Sequence, residues 1–170
     1  LDFDLLWKRV HQFLEEVPNY SSITFIITMN NLSVSNLDKL MEGILELRKQ
    51  YSKDFQRVWF DTPVLRTPSW QSMQLLPEPY VMKLNTLRKW MNDNLETDDD
   101  LYHGFKDYEV KRMERDIAWM QEPLLDEYKD SQKADFYRFF SESDNRHETT
   151  FLETFPEMSE WWKSCKYFAQ

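Results

Sequence analysis

The stretch that decides the fold is SITFIITM, at residues 22–29. Its apolar residues are nearly continuous and largely β-branched, which predicts a short strand buried on both faces, as the strands of parallel sheets are. The run RVWF at residues 57–60 predicts a second strand. Apolar residues recur every three or four positions over residues 2–17 and 35–51, which predicts two helices. The order helix, strand, helix, strand is typical of a parallel α/β sheet or barrel.

This alternation stops after the second strand. Four of the seven prolines fall in residues 62–79, which predicts a long ordered loop. Beyond it the sequence predicts helices, at about residues 80–95, 106–121, 123–140 and 156–167. We therefore expect an α/β protein with two regions. Residues 1–76 would form the C-terminal part of a partial (β/α) barrel with two parallel strands, and residues 77–170 an α-helical C-terminal region.

Two strands do not complete a sheet. Isolated strand pairs are marginally stable in water, and parallel pairs depend on neighbouring elements more than most. The further strands are expected from residues before Leu1 or from a partner chain. The sequence is therefore predicted to be the back half of a larger enzyme.

Composition and charge narrow the classes of function. The formal net charge is −9, and an acidic surface disfavours binding to a nucleic-acid backbone. The two glycines cannot build a G-x-G-x-x-G or P-loop phosphate site. No apolar run approaches the roughly 18 residues that a membrane span needs. We expect no nucleic-acid partner, no membrane partner and a cytoplasmic location.

Candidate metal ligands are few and scattered. Cys165 is the only cysteine, which excludes an internal disulfide and a multi-cysteine zinc or iron–sulfur site built from this chain alone. His11, His103 and His147 show no metal-binding spacing, so no metal site is predicted. Cys165 lies among aromatic residues of the last predicted helix, which favours a packed thiol over a reactive one.

Polar residues follow both predicted strands. Asn30 comes after the first strand, and Asp61 and Arg66 come after the second. Ligands of parallel α/β sheets and barrels bind at the carboxyl ends of the strands, so Asn30 and Asp61 are expected on one rim. The other interpretation is ordinary loop chemistry, in which these side chains shape a turn or cap a backbone amide. The residues alone leave both interpretations open.

Three stretches resemble radical S-adenosylmethionine enzymes of the twitch-domain type. ITFIITMNNLS at residues 23–33 resembles the late barrel strand that ends in Thr-x-Asn-x-Leu-Ser in those proteins. VWFDTPVLRTP at residues 58–68 is similar to their Trp-Phe-Asp-x-Pro-x-Leu-Arg-x-Pro segment. Residues 139–165, with DNR at 144–146 and FLETFPEM at 151–158, resemble their tail.

The resemblance implies a partial (β/α) barrel whose missing N-terminal half holds a 4Fe–4S cluster on three cysteines. S-adenosylmethionine would bind there and be cleaved to a radical that takes hydrogen from a peptide or small-molecule substrate. Asn30 and Asp61 would be cofactor-binding residues, and Leu65 and Arg66 substrate-binding residues. The cysteine triplet is absent from this chain, which is therefore expected to bind neither cofactor alone and to be inactive alone.

The alternative is a non-catalytic helical protein-interaction module, in which the aromatic helices dock a partner. The sequence identifies no catalytic residue and no substrate. A C-x-x-x-C-x-x-C triplet upstream of Leu1 would favour the enzyme, whereas an unrelated domain there would favour the module.

Overall fold

A computed structural model of the chain describes residues 2–18 and 20–170. Within these ranges the elements alternate at first and then become helical. The helices are α1 (Phe3–Glu16), α2 (Leu37–Tyr51), α3 (Glu78–Asp93), α4 (Asp107–Met120), α5 (Asp126–His147), α6 (Phe151–Thr154) and α7 (Ser159–Ala169), and the strands are β1 (Ile23–Ile26) and β2 (Val58–Asp61). None of the helices in the described ranges combines the length and the apolar character that a membrane crossing requires.

The chain is an α/β protein with a helical C-terminal region, as predicted. β1 and β2 pair in parallel, with Ile23 opposite Val58 and Ile26 opposite Asp61. One more hydrogen bond of 2.8 Å, from the Ile27 N–H to the Asp61 carbonyl, extends the pairing. α2 connects the two strands, because a parallel pair needs a long crossover and cannot be closed by a tight turn.

The chain forms two compact units that interleave along the sequence. The first unit comprises Leu1–Ile27, Asn36–Pro63 and Leu87–Met113. The second unit comprises Thr28–Ser35, Val64–Thr86 and Glu114–Gln170. The predicted boundary between residues 76 and 77 is a division in sequence, whereas these units are groups of residues that pack together in space.

A buried ion pair lies in the core of the first unit. Arg48 of α2 is fully buried and donates to both carboxylate oxygens of Glu109 on α4, at 2.9 and 2.8 Å. It also donates to the carbonyl oxygens of Val58 and Gly104, each at 2.9 Å. Breaking such a pair by removing one partner typically costs about 3–5 kcal/mol, because a charge is left buried and unpaired. The pair therefore ties α2, β2 and α4 together.

The sheet is covered on one face, so the prediction that β1 is buried on both faces is wrong for this chain. Side chains alternate between the faces of a strand. On the covered face Val58 and Phe60 are buried, and the Phe25 ring lies 5.9 Å from the ring of Trp7 on α1. On the other face, Ile26 is 73% exposed. An apolar run indicates which residues favour burial but does not supply the element that covers them.

Close contact between α1 and α2 depends on a glycine. A Cβ built on Gly43 of α2 would lie 2.5 Å from the ring of Trp7, which is shorter than any ordinary carbon–carbon contact. The absence of a side chain at Gly43 lets the indole of Trp7 pack directly on the helix backbone. This contact positions α1 on the same face of the sheet as Phe25.

Aromatic side chains form the core of the second unit. Phe136 of α5 is fully buried, and its ring centroid lies 4.7 Å from that of Phe140 and 5.8 Å from that of Trp161. Phe151 stacks on Trp162 with centroids 4.4 Å apart. Aromatic pairs of this kind add to the free energy of area burial. The cluster joins α5, α6 and α7.

Candidate functional site

Asn30, a predicted cofactor-binding residue, closes a turn in the second unit. Its Oδ1 accepts hydrogen bonds from the backbone N–H groups of Leu32 at 2.8 Å and Ser33 at 3.0 Å. The Asn30 N–H donates to Oγ of Ser33 at 2.9 Å. These bonds agree with the second interpretation of the sequence, in which the side chain shapes a turn. The amide oxygen of Asn30 accepts from backbone N–H groups in place of a backbone carbonyl.

The neighbouring Asn31 is the more deeply buried of the two amides, a feature that the sequence did not reveal. It is 0% exposed, and its Nδ2 donates to the Trp70 carbonyl at 2.9 Å. Its N–H donates to the Gln71 carbonyl at 3.0 Å. These two hydrogen bonds of Asn31 connect the segment after β1 to the proline-containing loop of the same unit.

Asp61, the other predicted cofactor-binding residue, ends β2 in the first unit. Asp61 is paired with Ile26, so its side chain projects from the same exposed face of the sheet, and 52% of this side chain is exposed. Its Oδ1 accepts from the Thr62 N–H at 2.9 Å and forms an ion pair with Arg112 of α4. Arg112 was not predicted, and no local pattern could identify it, because it lies 51 positions away in sequence.

Leu65 and Arg66, the predicted substrate-binding residues, belong to the second unit together with Asn30. The Leu65 N–H donates to the Met29 carbonyl at 2.9 Å, and Met29 also forms a parallel bridge with Val64. The segments that follow β1 and β2 therefore run side by side. Leu65 is hydrogen-bonded to Met29, which is the residue before Asn30. Arg66 is exposed and lines a cavity of about 380 Å³.

Cys165 is a packed thiol, as predicted. It is 0% exposed, and burial raises the pKa of its thiol to about 12, an effect that the charge of Lys133 opposes. A thiol with so high a pKa is neutral at pH 7 and is a weak nucleophile and metal ligand. In residues 2–18 and 20–170, no three histidine, cysteine or acidic side chains gather as a metal site. These residues do not fit a 4Fe–4S cluster.

Two histidines form hydrogen bonds within the first unit, with residues that are mostly distant in sequence. The ring of His103 contacts Oδ1 of Asp100 and the carbonyl of Ser52, each at 2.5 Å. Nδ1 of His11 lies 2.9 Å from the hydroxyl of Tyr51. Both rings therefore connect neighbouring segments of the fold.

A cavity of about 710 Å³ lies within the second unit. Its polar and aromatic lining comes from the segments before α2 and α3, from α3, α5 and α7, and from the turn before α7: Ser35, Gln74, Tyr80, Lys83, Lys129, Lys133, Glu157, Glu160, Trp161 and Ser164. Lys83 donates to the Ser35 carbonyl. Burial raises the pKa of the Tyr80 hydroxyl, and the charge of Glu157 raises it further. The sequence gives no signal for this cavity, because its lining comes from segments that are distant along the chain.

Comparison of the chain with protein-family models, with curated protein sequences and with solved structures gives no match.

Proposed function

We propose that this chain is the back half of a radical S-adenosylmethionine enzyme, in which it supplies late strands of a partial (β/α) barrel and a substrate-side cover. The cluster-binding cysteines belong to another part of the whole protein, and a cytoplasmic location fits a chain whose single cysteine stays reduced. The observation that carries the proposal is the parallel pair β1–β2, covered by helices on one face and open on the other.

The open face has the character of a barrel interior. In a (β/α) barrel, helices cover the outer face of each strand, and side chains from other strands fill the inner one. Thr24, Ile26 and Asp61 project from the open face, and all three are exposed. Fully burying one isoleucine side chain stabilises a fold by about 1.5–3 kcal/mol, so an additional set of strands on this face would be favourable.

The apolar surface of α1 supports the same proposal. Phe3 is 54% exposed, Leu5 50% and Leu6 39%, although α1 packs closely on α2 through Trp7. A helix with this much uncovered apolar surface is typical of one that packs against a further element. In the proposed barrel, that element is the helix of the preceding strand.

Of the two predicted cofactor-binding residues, Asp61 is the stronger candidate. It stands at the carboxyl end of a strand on the open face, where ligands of parallel barrels bind. Its ionised carboxylate can accept hydrogen bonds from an ammonium or hydroxyl group of S-adenosylmethionine or of a substrate. Arg112 holds the carboxylate by charge and leaves half of the side chain exposed. The amide oxygen of Asn30 is already bonded to two backbone N–H groups.

The test is anaerobic reconstitution of the protein encoded by the whole reading frame. We expect a C-x-x-x-C-x-x-C triplet ahead of Leu1, a reconstituted 4Fe–4S cluster, and release of 5′-deoxyadenosine from S-adenosylmethionine after reduction. The 170-residue chain treated identically is the control. It should neither form a cluster nor release 5′-deoxyadenosine. A complete reading frame without the triplet, or a reconstituted whole protein that does not cleave S-adenosylmethionine, would contradict the proposal.

A second candidate function is a non-catalytic interaction module, favoured by the exposed apolar residues of α1. In that case α1 and the open sheet face would dock a separate protein. Limited proteolysis of the whole protein separates the two. A barrel that is continuous through β1 and β2 should protect the open face within the same chain, whereas a module should leave it accessible until the partner is added.

A further inference from the structure

The cavity of about 380 Å³ that Arg66 lines lies within the second unit and is termed the Arg66 cavity. Its lining comes from the proline-containing loop between β2 and α3, the last turn of α4, the segment between α4 and α5, and the first turn of α5. Cavities that bind small molecules measure about 300–1,000 Å³, so the volume of this one suits a small ligand.

Hydrogen bonds between these segments hold the walls of the Arg66 cavity in place. Nε2 of Gln74 donates to the Trp119 carbonyl at 3.1 Å, which joins the loop to the end of α4. Oγ of Ser69 donates to Oε1 of Gln132 on α5 at 2.6 Å. Oγ of Ser72 accepts from the Gln74 N–H at 3.2 Å. The polar side chains of Ser69, Ser72 and Gln74 are therefore bonded within the chain, and the cavity is formed without a ligand.

The exposure of the lining residues increases from the interior of the cavity to its rim. Leu75 is 3% exposed, and Trp119 and Leu124 are partly buried. Arg66 and Glu122 are exposed. The interior therefore offers apolar and aromatic contacts, and the charged groups lie where the cavity meets solvent.

The rim carries one positive and one negative side chain that do not pair. Within residues 2–18 and 20–170, neither the guanidinium of Arg66 nor the carboxylate of Glu122 forms a hydrogen bond or an ion pair. A purely anionic ligand would be repelled by Glu122, and a purely cationic one by Arg66. A ligand that carries both a carboxylate and an ammonium can use both charges, because a guanidinium binds a carboxylate through two parallel hydrogen bonds and a carboxylate accepts from an ammonium.

We propose that the Arg66 cavity binds a free α-amino acid with an apolar or aromatic side chain. Its carboxylate accepts from the guanidinium of Arg66, and its ammonium donates to the carboxylate of Glu122. Its side chain contacts Leu75, Trp119 and Tyr128, where an aromatic ring adds ring–ring contacts. Identification of this amino acid as a substrate would rest on the proposed function, in which Arg66 is a substrate-binding residue. The binding itself does not, so a failed titration and a failed cleavage of S-adenosylmethionine are separate results.

The test is titration of the ¹⁵N-labelled 170-residue chain with L-phenylalanine, followed by ¹H–¹⁵N NMR. Binding should shift backbone amide resonances within residues 66–75 and 119–128 saturably. N-acetyl-L-phenylalanine lacks the ammonium, and L-phenylalaninamide lacks the carboxylate but keeps its ammonium at about pH 6. Each should bind about two- to fivefold more weakly, because each loses one exposed charge contact. Glycine keeps both charges without an apolar side chain and should bind at least about tenfold more weakly.

Two substitutions assign the charge contacts. Arg66→Gln should weaken binding of L-phenylalanine about two- to fivefold and abolish its advantage over the amide, because the contact that the amide lacks is already gone. Glu122→Gln should in the same way abolish the advantage over the N-acetyl derivative. Arg115→Gln and Glu153→Gln are the matched controls, because both residues are exposed in the second unit and do not line the cavity.

Four results would each overturn the proposal. The first is the absence of a saturable shift, and the second is binding of glycine as tight as that of L-phenylalanine. The third is an Arg66→Gln variant that retains the full preference for the amino acid over its amide. The fourth is equally tight binding of N-acetyl-L-phenylalanine, which would assign the cavity to the C-terminal residue of a peptide.

Discussion

The two compact units differ in how far apolar side chains of their helices and strands are buried. In the first unit, Ile26 is 73% exposed and Phe3 is 54% exposed, although both lie in regular elements. In the second unit, Phe136 and Phe151 are 0% and 3% exposed, and Trp161 is 3% exposed. These buried rings of α5, α6 and α7 pack on one another, while Phe139 and Tyr167 on the same helices remain 50% and 73% exposed. In the first unit, helices pack on one face of the sheet, and Thr24, Ile26 and Asp61 are exposed on the other.

The difference is between a cluster of aromatic rings that bury one another and a two-stranded sheet with exposed residues on one face. The first unit is still firmly held, because Arg48 and Glu109 form a fully hydrogen-bonded pair between α2 and α4. Its open face is therefore a property of a folded unit. Four substitutions test this difference between the two units, from the largest expected effect to the smallest.

Glu109→Ala should destabilise the chain most, by about 3–5 kcal/mol, because it leaves the Arg48 guanidinium buried without its counter-charge. Chemical denaturation followed by circular dichroism measures the loss. Glu42→Ala is the control, since Glu42 is exposed on the same helix as Arg48 and should change the free energy of unfolding by less than about 0.5 kcal/mol. Equal effects of the two substitutions would show that the pair does not hold the first unit.

Phe136→Ala should cost about 3 kcal/mol, near the lower end for a buried aromatic residue, because the surrounding rings can partly close the cavity. Phe139→Ala, at a half-exposed position of the same helix, should cost clearly less. Thermal unfolding of the two variants provides the comparison. If Phe136→Ala were no worse than Phe139→Ala, the second unit would not depend on its own aromatic core.

Asn30→Ala should cost about 1–2 kcal/mol, because two backbone N–H groups lose their acceptor. Asn30→Asp retains an acceptor oxygen and should recover most of this loss. Urea denaturation of both variants is the measurement. If Asn30→Ala in the whole protein unfolds normally yet weakens binding of S-adenosylmethionine several-fold, that result would favour the proposed cofactor role of Asn30 over its role in the turn.

Ile26→Ser should have the smallest effect on stability, below about 0.5 kcal/mol, because most of the side chain is already in water. It should nevertheless reduce self-association of the 170-residue chain in sedimentation velocity, since an uncovered apolar strand invites pairing with another copy. In the whole protein the same substitution should be clearly destabilising. A wild-type chain that sediments as a monomer at high concentration would argue that the open face needs no partner.

Much of the secondary structure follows from the sequence alone. The helix predicted over residues 2–17 is α1, that over 106–121 is α4, and the strands predicted in residues 22–29 and 57–60 are β1 and β2. Periodicity predicts these elements because a side chain's orientation along one helix or strand depends only on its position in that element. The parallel pairing of β1 with β2 follows in turn from the long helical crossover between them.

The tertiary structure decided the remainder. The partners of Glu109 and Asp61 lie 61 and 51 positions away, and a single sequence carries no local signal for such pairs. Which face of β1 is covered likewise depends on the elements that pack against it. An apolar run in the sequence does not show whether one face of the strand or both faces are covered. The cavity of the second unit joins lysines from α3 and α5 only after those helices have packed. Local patterns determined the elements, whereas charge pairing, burial and the lining of the cavity arose from contacts between residues distant in sequence.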